Sequence, residues 1–195
     1  MPKTNAKPKT DVTLLLHEDH QKVRNLFFDF NNEKKESTKE ALVKQILTEL
    51  FIHATVEEEI VYPCTRKEAD DADDLLDEAE TEHHVVKFLM AELSNMTAKD
   101  DQFEAKVTVL CELVNHHVRE EEKEMFKKLR ESGADLEQLS EQVLARKAQL
   151  QQQPLPPMSS ALSIGKKPAK QAASPAKKPL TNGRRRVGRQ QRRSA

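Results

Sequence analysis

Four segments of this chain share one arrangement: a stripe of apolar residues at three-and-four spacing, with one histidine set in its middle. The stripes are Leu16, His20, Val23, Phe27 and Phe30; Ile46, Leu50, His53, Glu57 and Ile60; Leu76, Ala79, His83, Val86, Met90 and Leu93; and Phe103, Val107, Leu110, Val114, His117, Glu121 and Met125. That period belongs to an amphipathic α-helix. A helix carrying such a stripe buries it against another helix, so four of them restrict the chain to a bundle. The histidines and two glutamates then lie inside, where a polar group needs a partner.

The segments between the stripes set the expected boundaries. The first helix is predicted over Asp11–Phe30, followed by the polar loop "NNEKKES". Ser37 to Glu40, "STKE", has the capping-box pattern that starts a second helix, and Pro63 should disturb its end. "ADDADD" precedes the third helix and "TAKDD" separates it from the fourth. Gly133 is the predicted C′ residue of the fourth, and a short fifth helix around Asp135–Gln149 folds back. Short polar connections favour antiparallel neighbours. Aromatics at 4% and the absence of Trp argue against a sheet. The expectation is therefore all-α: an up-down-up-down four-helix bundle with a short C-terminal helix and a disordered basic tail. In domains, this reads as a disordered leader over 1–10, the bundle over 11–150 and a Lys/Arg/Pro-rich tail over 151–195.

The formal charge of -1 conceals an asymmetry. Eleven of the 32 Lys and Arg fall from Pro154 onward, where there is no Asp or Glu, so the rest of the chain stands at -12. The tail has no apolar periodicity with which to offset ordering. Its cations, over residues 166–193, give it an expected affinity for nucleic acid by counterion release. No aromatic lies among them to stack on bases. Cys64 and Cys111 form no CxxC spacing, which fits thiols that pack in a reducing compartment. No apolar run approaches a membrane span or a signal peptide. The expected setting is cytoplasmic.

The central chemistry lies in the stripes. His53 and Glu57, like His117 and Glu121, are i and i+4, so each pair shares one helix face. With His20 and His83, four imidazoles and two carboxylates converge at one level. Such a set can hold two ions, each on two imidazoles, with both carboxylates bridging. Nitrogen and oxygen donors without thiolate suit iron, or manganese, more than zinc. Two buried glutamates among imidazoles have no other evident source of positive charge. His116 and Glu120 repeat the spacing of His117 and Glu121 one residue earlier, but Leu110, Val114 and Met125 favour the His117 register. His17, one turn before His20, and Tyr62, after the second stripe, are candidate neighbours of the site. His84 and His116 point to the flanks. E-x-x-H occurs only as Glu80–His83, and H-E-x-x-H is absent, so neither a ferritin-like nor a zincin site is indicated.

The stretches "HEDHQKVRNLF", "FIHATVEEEIVYP", "EHHVVKFLMAEL" and "NHHVREEEKEMF" closely resemble the four helices of the hemerythrin-like, HHE cation-binding domain. The resemblance runs over residues 11 to about 150. It implies a four-helix bundle with a non-haem di-iron centre held by His20, His53, Glu57, His83, His117 and Glu121, with the glutamates as bridges. It also implies dioxygen, nitric oxide or peroxide as the exogenous partner, or a response to iron supply. The oxygen carriers of that family have H-x-x-x-H on the third helix, whereas here Lys87 stands four residues after His83. Their last pair is H-x-x-x-x-D, here H-x-x-x-E. The resemblance thus implies a more open iron, suited to sensing, redox chemistry or turnover of peroxide or nitric oxide, with Lys87 either turned away or paired with an acid.

Overall fold

The structure, a computed structural model, describes residues 11–153 and 156–157. The leader and the basic segment 166–193 lie outside the described residues. Among those described, all regular structure is helical: α1 (Val12–Asn32), α2 (Glu36–Val56), α3 (Tyr62–Glu68), α4 (Asp73–Leu93), α5 (Phe103–Glu120), α6 (Phe126–Glu131) and α7 (Leu136–Gln151). Two π-helical segments, Glu57–Val61 and Glu121–Met125, join α2 to α3 and α5 to α6 without a break. The result is four long rods and α7. α1 packs along α2, α4 along α5, and α7 lies against α1, α2 and the first π segment.

The stripes do pack as their spacing predicts. Leu16, Ile46, Leu76 and Leu110 are fully buried, and each such side chain contributes about 1.5–3 kcal/mol on leaving water. Local starts and stops depart from expectation in four places. The second helix begins at Glu36 with Lys35 as its N-cap and no side-chain cap, so Ser37 is not a capping residue. In the loop before it, Glu33 accepts from the backbone N–H groups of Lys34 and Lys35 at 2.7 and 2.8 Å. Pro63 does not end this rod, which continues to Glu68. It follows the π segment and opens a new α-helical turn, where a missing N–H costs little. The π segment also advances the inward face by one residue, so Val61 rather than Ile60 is fully buried. At the end of α6, Ser132 is extended with φ -80° and ψ 177°, and its Oγ donates to the Leu129 carbonyl at 2.8 Å. Gly133 follows without adopting the left-handed conformation expected of it.

Candidate metal centre

Four buried histidines and two buried glutamates gather at one level of the bundle. His20, His53, His83 and His117 are 3–6% exposed, Glu57 0% and Glu121 2%. His116, by contrast, has a side chain 52% exposed, so His117 is the histidine of this pair that faces the core.

Each imidazole is held from outside by a carboxylate on another helix. Nδ1 of His20 meets Glu122 Oε1 at 2.9 Å, Nδ1 of His53 meets Asp19 Oδ2 at 3.3 Å, Nδ1 of His83 meets Glu58 Oε1 at 2.9 Å, and Nδ1 of His117 meets Glu82 Oε2 at 2.7 Å. A carboxylate only accepts, so each Nδ1 carries the proton and each Nε2 lone pair turns inward. The inward nitrogens meet in two pairs: His20 with His53 at 3.1 Å and His83 with His117 at 3.0 Å.

The glutamates join the pairs. Glu57 Oε2 lies 3.1 Å from His53 Nε2 and 3.5 Å from His83 Nε2. Glu121 Oε2 lies 3.5 Å from His20 Nε2 and 3.4 Å from His117 Nε2. Each carboxylate therefore touches one imidazole of each pair. Both oxygens of Glu57, and Oε2 of Glu121, are buried without a hydrogen-bond partner.

These features test whether a metal fits. Two Nε2 lone pairs facing each other repel unless a proton or a cation lies between them. Nitrogen ligands about 2.1 Å from one ion and at right angles sit about 3 Å apart, which matches both pairs. The three orphaned oxygens supply the negative charge such ions require. The donor groups divide into His20, His53, Glu57 and Glu121 on one side and Glu57, His83 and His117 on the other. Without metal, protons take the cations' place. Burial would lower the His53 pKa, but Glu57 and Asp19 beside it raise it to about 10. Against the same burial, His117 is raised by Glu121 and Glu82. In that coupled pair the proton rests on the imidazole, since His117 and His20 hold the Glu121 carboxyl well below its ordinary range against the effect of burial.

The site has an approximate internal two-fold relation. α1 and the α2 rod match α4 and the α5 rod in order: His20 with His83, His53 with His117, Glu57 with Glu121, Glu58 with Glu122, Asp19 with Glu82. Both π segments begin at the inward glutamate, a place where such turns commonly mark function. The wider turn brings Tyr62 against His83, centroids 5.5 Å apart, and Phe126 against His20 at 5.8 Å. The hydroxyl breaks the symmetry, because Tyr62 Oη donates to Glu121 Oε1 at 2.7 Å. Burial and the neighbouring glutamates raise the Tyr62 pKa well above its ordinary value, so the phenol stays protonated as a donor.

Of the outlying candidates, the structure brings His17 to Glu122 at 3.0 Å, beside His20. Tyr62 is inside the site, 1% exposed. His84 is exposed and takes no part. Lys87 is buried, and its Nζ donates to Glu58 at 2.5 and 2.6 Å, so it pairs with an acid. His116 and Glu120 form an outer group with Glu82. Glu80 pairs with Arg66 and is not a donor. The outer carboxylates Asp19, Glu58, Glu82 and Glu122 are the functional residues that sequence reasoning missed. Their one signal is adjacency: each stands directly beside a stripe histidine or glutamate.

Above the four imidazoles is a cavity of about 20 Å³, room for one water-sized molecule. Asp19 and the apolar side chains Val23, Leu50, Ala54, Val86, Val114 and Val118 complete its walls.

A helical bundle with buried His/Glu clusters of this kind defines a cation-binding protein of the bundle class. Residues 11–129 match the Hemerythrin HHE cation binding domain family, and the chain belongs to that family. α7 lies beyond the matched residues. A DNA nickase of Nostoc sp. is 28% identical over 153 residues, covering 76% of this chain and 43% of that protein. The chain thus spans less than half the length of that relative. The crystal structure of a hemerythrin HHE cation binding domain-containing protein from Mycobacterium kansasii has a TM-score of 0.63 and 25% identity, covering 79% of this chain and 91% of that one.

Proposed function

We propose that this protein is a non-haem di-iron module, one ion held by His20 and His53 and the other by His83 and His117, with Glu57 and Glu121 shared between them. The observation that carries this reading is the pair of facing Nε2 couples beside three orphaned carboxylate oxygens. Nitrogen and oxygen donors without thiolate favour iron, with manganese the next choice. Bound iron supplies a reversible change of valence and positions open to an exogenous ligand. The rest is the work of the chain. The outer carboxylates fix the imidazole tautomers and strengthen them as ligands. The largely apolar cavity has room for a molecule the size of dioxygen, nitric oxide or peroxide. Lys87 is engaged by Glu58 and is not a ligand. The module senses or reacts with such a molecule in a reducing, cytoplasmic setting, in keeping with its two free cysteines. Anaerobic reconstitution with ferrous iron should saturate at two ions per chain; saturation at one or below contradicts the reading. Peroxide consumed over many equivalents assigns turnover, and consumption that stops near one assigns sensing.

A second reading concerns the eleven tail cations, whose support is their charge and the similarity to a protein named a DNA nickase. The tail gives the module a salt-sensitive, sequence-independent hold on nucleic acid. Full-length protein should bind DNA or RNA at low salt, and protein truncated before Pro154 should not. Equal binding by both contradicts this role.

A further inference from the structure

The approximate two-fold relation between the halves of the bundle allows their outer faces to be compared. On the second half, ion pairs cross the α4/α5 seam at Glu82–His116 and Glu92–Lys106. The two helices are antiparallel, so between those pairs Val85 stands opposite Leu113 and Leu89 opposite Val109. Val85, Phe88 and Val109 are 43%, 53% and 45% exposed, and Leu89 and Leu113 are partly buried. The first-half positions that match Val85, Phe88, Val109 and Leu113 are Lys22, Asn25, Gln45 and Glu49. There Lys22 and Glu49 form an ion pair, and Asn25 and Gln45 are exposed. Polar side chains therefore satisfy the bundle at this layer, and an apolar set in the same place marks a contact surface.

The face is graded in charge. Towards the start of α4 the apolar centre gives way to Glu78, Glu82 and Glu120. Among the described residues, Glu82 and Glu120 pair only with His116 and His117. The chain beyond α7 has the same order: Leu155, Met158, Leu162 and Ile164 come first, and eleven Lys and Arg without an acid follow from Lys166. Its direction also fits. α6 ends beside the first turn of α1, where Arg130 meets Thr13, and α7 reaches Asp19 at Lys147. The chain thus leaves α7 heading for the end of the bundle where Glu92 and Lys106 lie, and meets the apolar centre of the α4/α5 face before its acidic end.

We propose that residues 155–178 dock on the α4/α5 face of their own bundle, with Leu162 and Ile164 against Val85, Phe88 and Val109 and the following lysines towards Glu78, Glu82 and Glu120. The chain is long enough. The 11 residues 154–164 span at most roughly 36–40 Å. With helices about 10 Å apart and about 10–12 Å across, the way round half the bundle is roughly 35 Å. The apolar side chains fix the place, and the lysines add an attraction that salt screens. Docking withholds those cations from nucleic acid; this consequence rests on the nucleic-acid reading of the tail, and the docking itself does not.

The test treats iron-loaded full-length protein at low salt with a carbodiimide, which joins an amine to a carboxylate in direct contact, and maps the links by mass spectrometry. An equal mixture of unlabelled and nitrogen-15-labelled chains separates links within one chain from links between copies. The expected links run from Lys166, Lys167 or Lys170 to Glu78, Glu82 or Glu120 within single chains. The double variant Phe88→Ser, Val109→Ser changes only exposed side chains. It should keep its iron and its helical circular dichroism while the yield of those links falls about tenfold. No link, links spread over the acids of the whole bundle, links between copies, or a yield unchanged by the variant overturns the proposal. DNA binding by the same two proteins separates the readings: a variant that loses the links yet binds DNA no more tightly counts against the nucleic-acid reading alone.

Discussion

Lys87 and Glu58 form an ion pair whose side chains are only 4% and 6% exposed, and removing one partner should be costly. Glu58 is tied twice, accepting from Lys87 Nζ at 2.5 and 2.6 Å and from His83 Nδ1 at 2.9 Å. Lys87→Met keeps most of the stem's volume and leaves a buried carboxylate with the imidazole alone. Glu58→Gln leaves a buried ammonium facing a neutral amide. Breaking a buried pair from one side costs about 3–5 kcal/mol. Glu58→Gln belongs at the upper end because it also weakens the hold on His83. In a domain of this size that is a loss of roughly 10 °C or more in Tm. The double variant should cost less than the two single changes together, by about 1–3 kcal/mol of coupling. Thermal and urea melts in the presence of a chelator separate this effect from metal binding. The reasoning also has a pH signature. Burial would raise the Glu58 pKa, but His83 and Lys87 hold it below the ordinary 4.5. Its contribution is therefore complete above pH 4.5 and is lost as pH falls through the lower, folded value. The gap between parent and Glu58→Gln should close in that acidic window. A Lys87→Met protein that melts with the parent, or single costs that simply add, would refute the account of the pair.

Three further outcomes are expected. His117→Ala should remove most bound iron while His116→Ala leaves it in place, as metal analysis after desalting will show; the reverse result would place the α5 register one residue off. Because His53 and His117 hold protons where ions would lie, loading two ions near pH 7 should release about two protons per chain, measurable in weak buffer with a pH indicator, and affinity should fall as the solution is acidified. Tyr62→Phe removes the donor to Glu121 Oε1 and should destabilise chelator-treated protein by about 1–3 kcal/mol; an unchanged urea midpoint would show that the bond contributes nothing.

The inward residues of the site were legible because helical period and ligand chemistry speak through the same positions. His20, His53, His83 and His117 interrupt apolar stripes, and Glu57 and Glu121 follow one turn later. The carboxylates that hold these imidazoles were not legible. Asp19, Glu58, Glu82 and Glu122 sit one residue off the stripe, where a charged side chain ordinarily faces water. Each binds a histidine on a different helix, a pairing that depends on how the rods are placed side by side. The π turns were equally hidden. Nothing in "EEEIV" or "EEKEM" distinguishes an i→i+5 turn from an α-helical one, yet that turn brings Tyr62 and Phe126 against the imidazoles and replaces Ile60 by Val61 in the core. Of the two arrangements expected for Lys87, turned away or paired with an acid, the structure has the second, a buried pair with Glu58. The capping-box expectation at Ser37 failed because the helix starts one residue earlier, at Glu36 with Lys35 as N-cap, which puts Ser37 inside the first turn.

The central claim is that two ions lie between the facing nitrogens. Crystals of anaerobically iron-loaded protein, measured on both sides of the iron absorption edge, locate such ions without reference to activity. The account predicts two anomalous peaks of comparable height, one shared by Nε2 of His20 and His53 and the other by Nε2 of His83 and His117, with Glu57 and Glu121 between them. A single peak, or iron bound only at surface carboxylates, would contradict it.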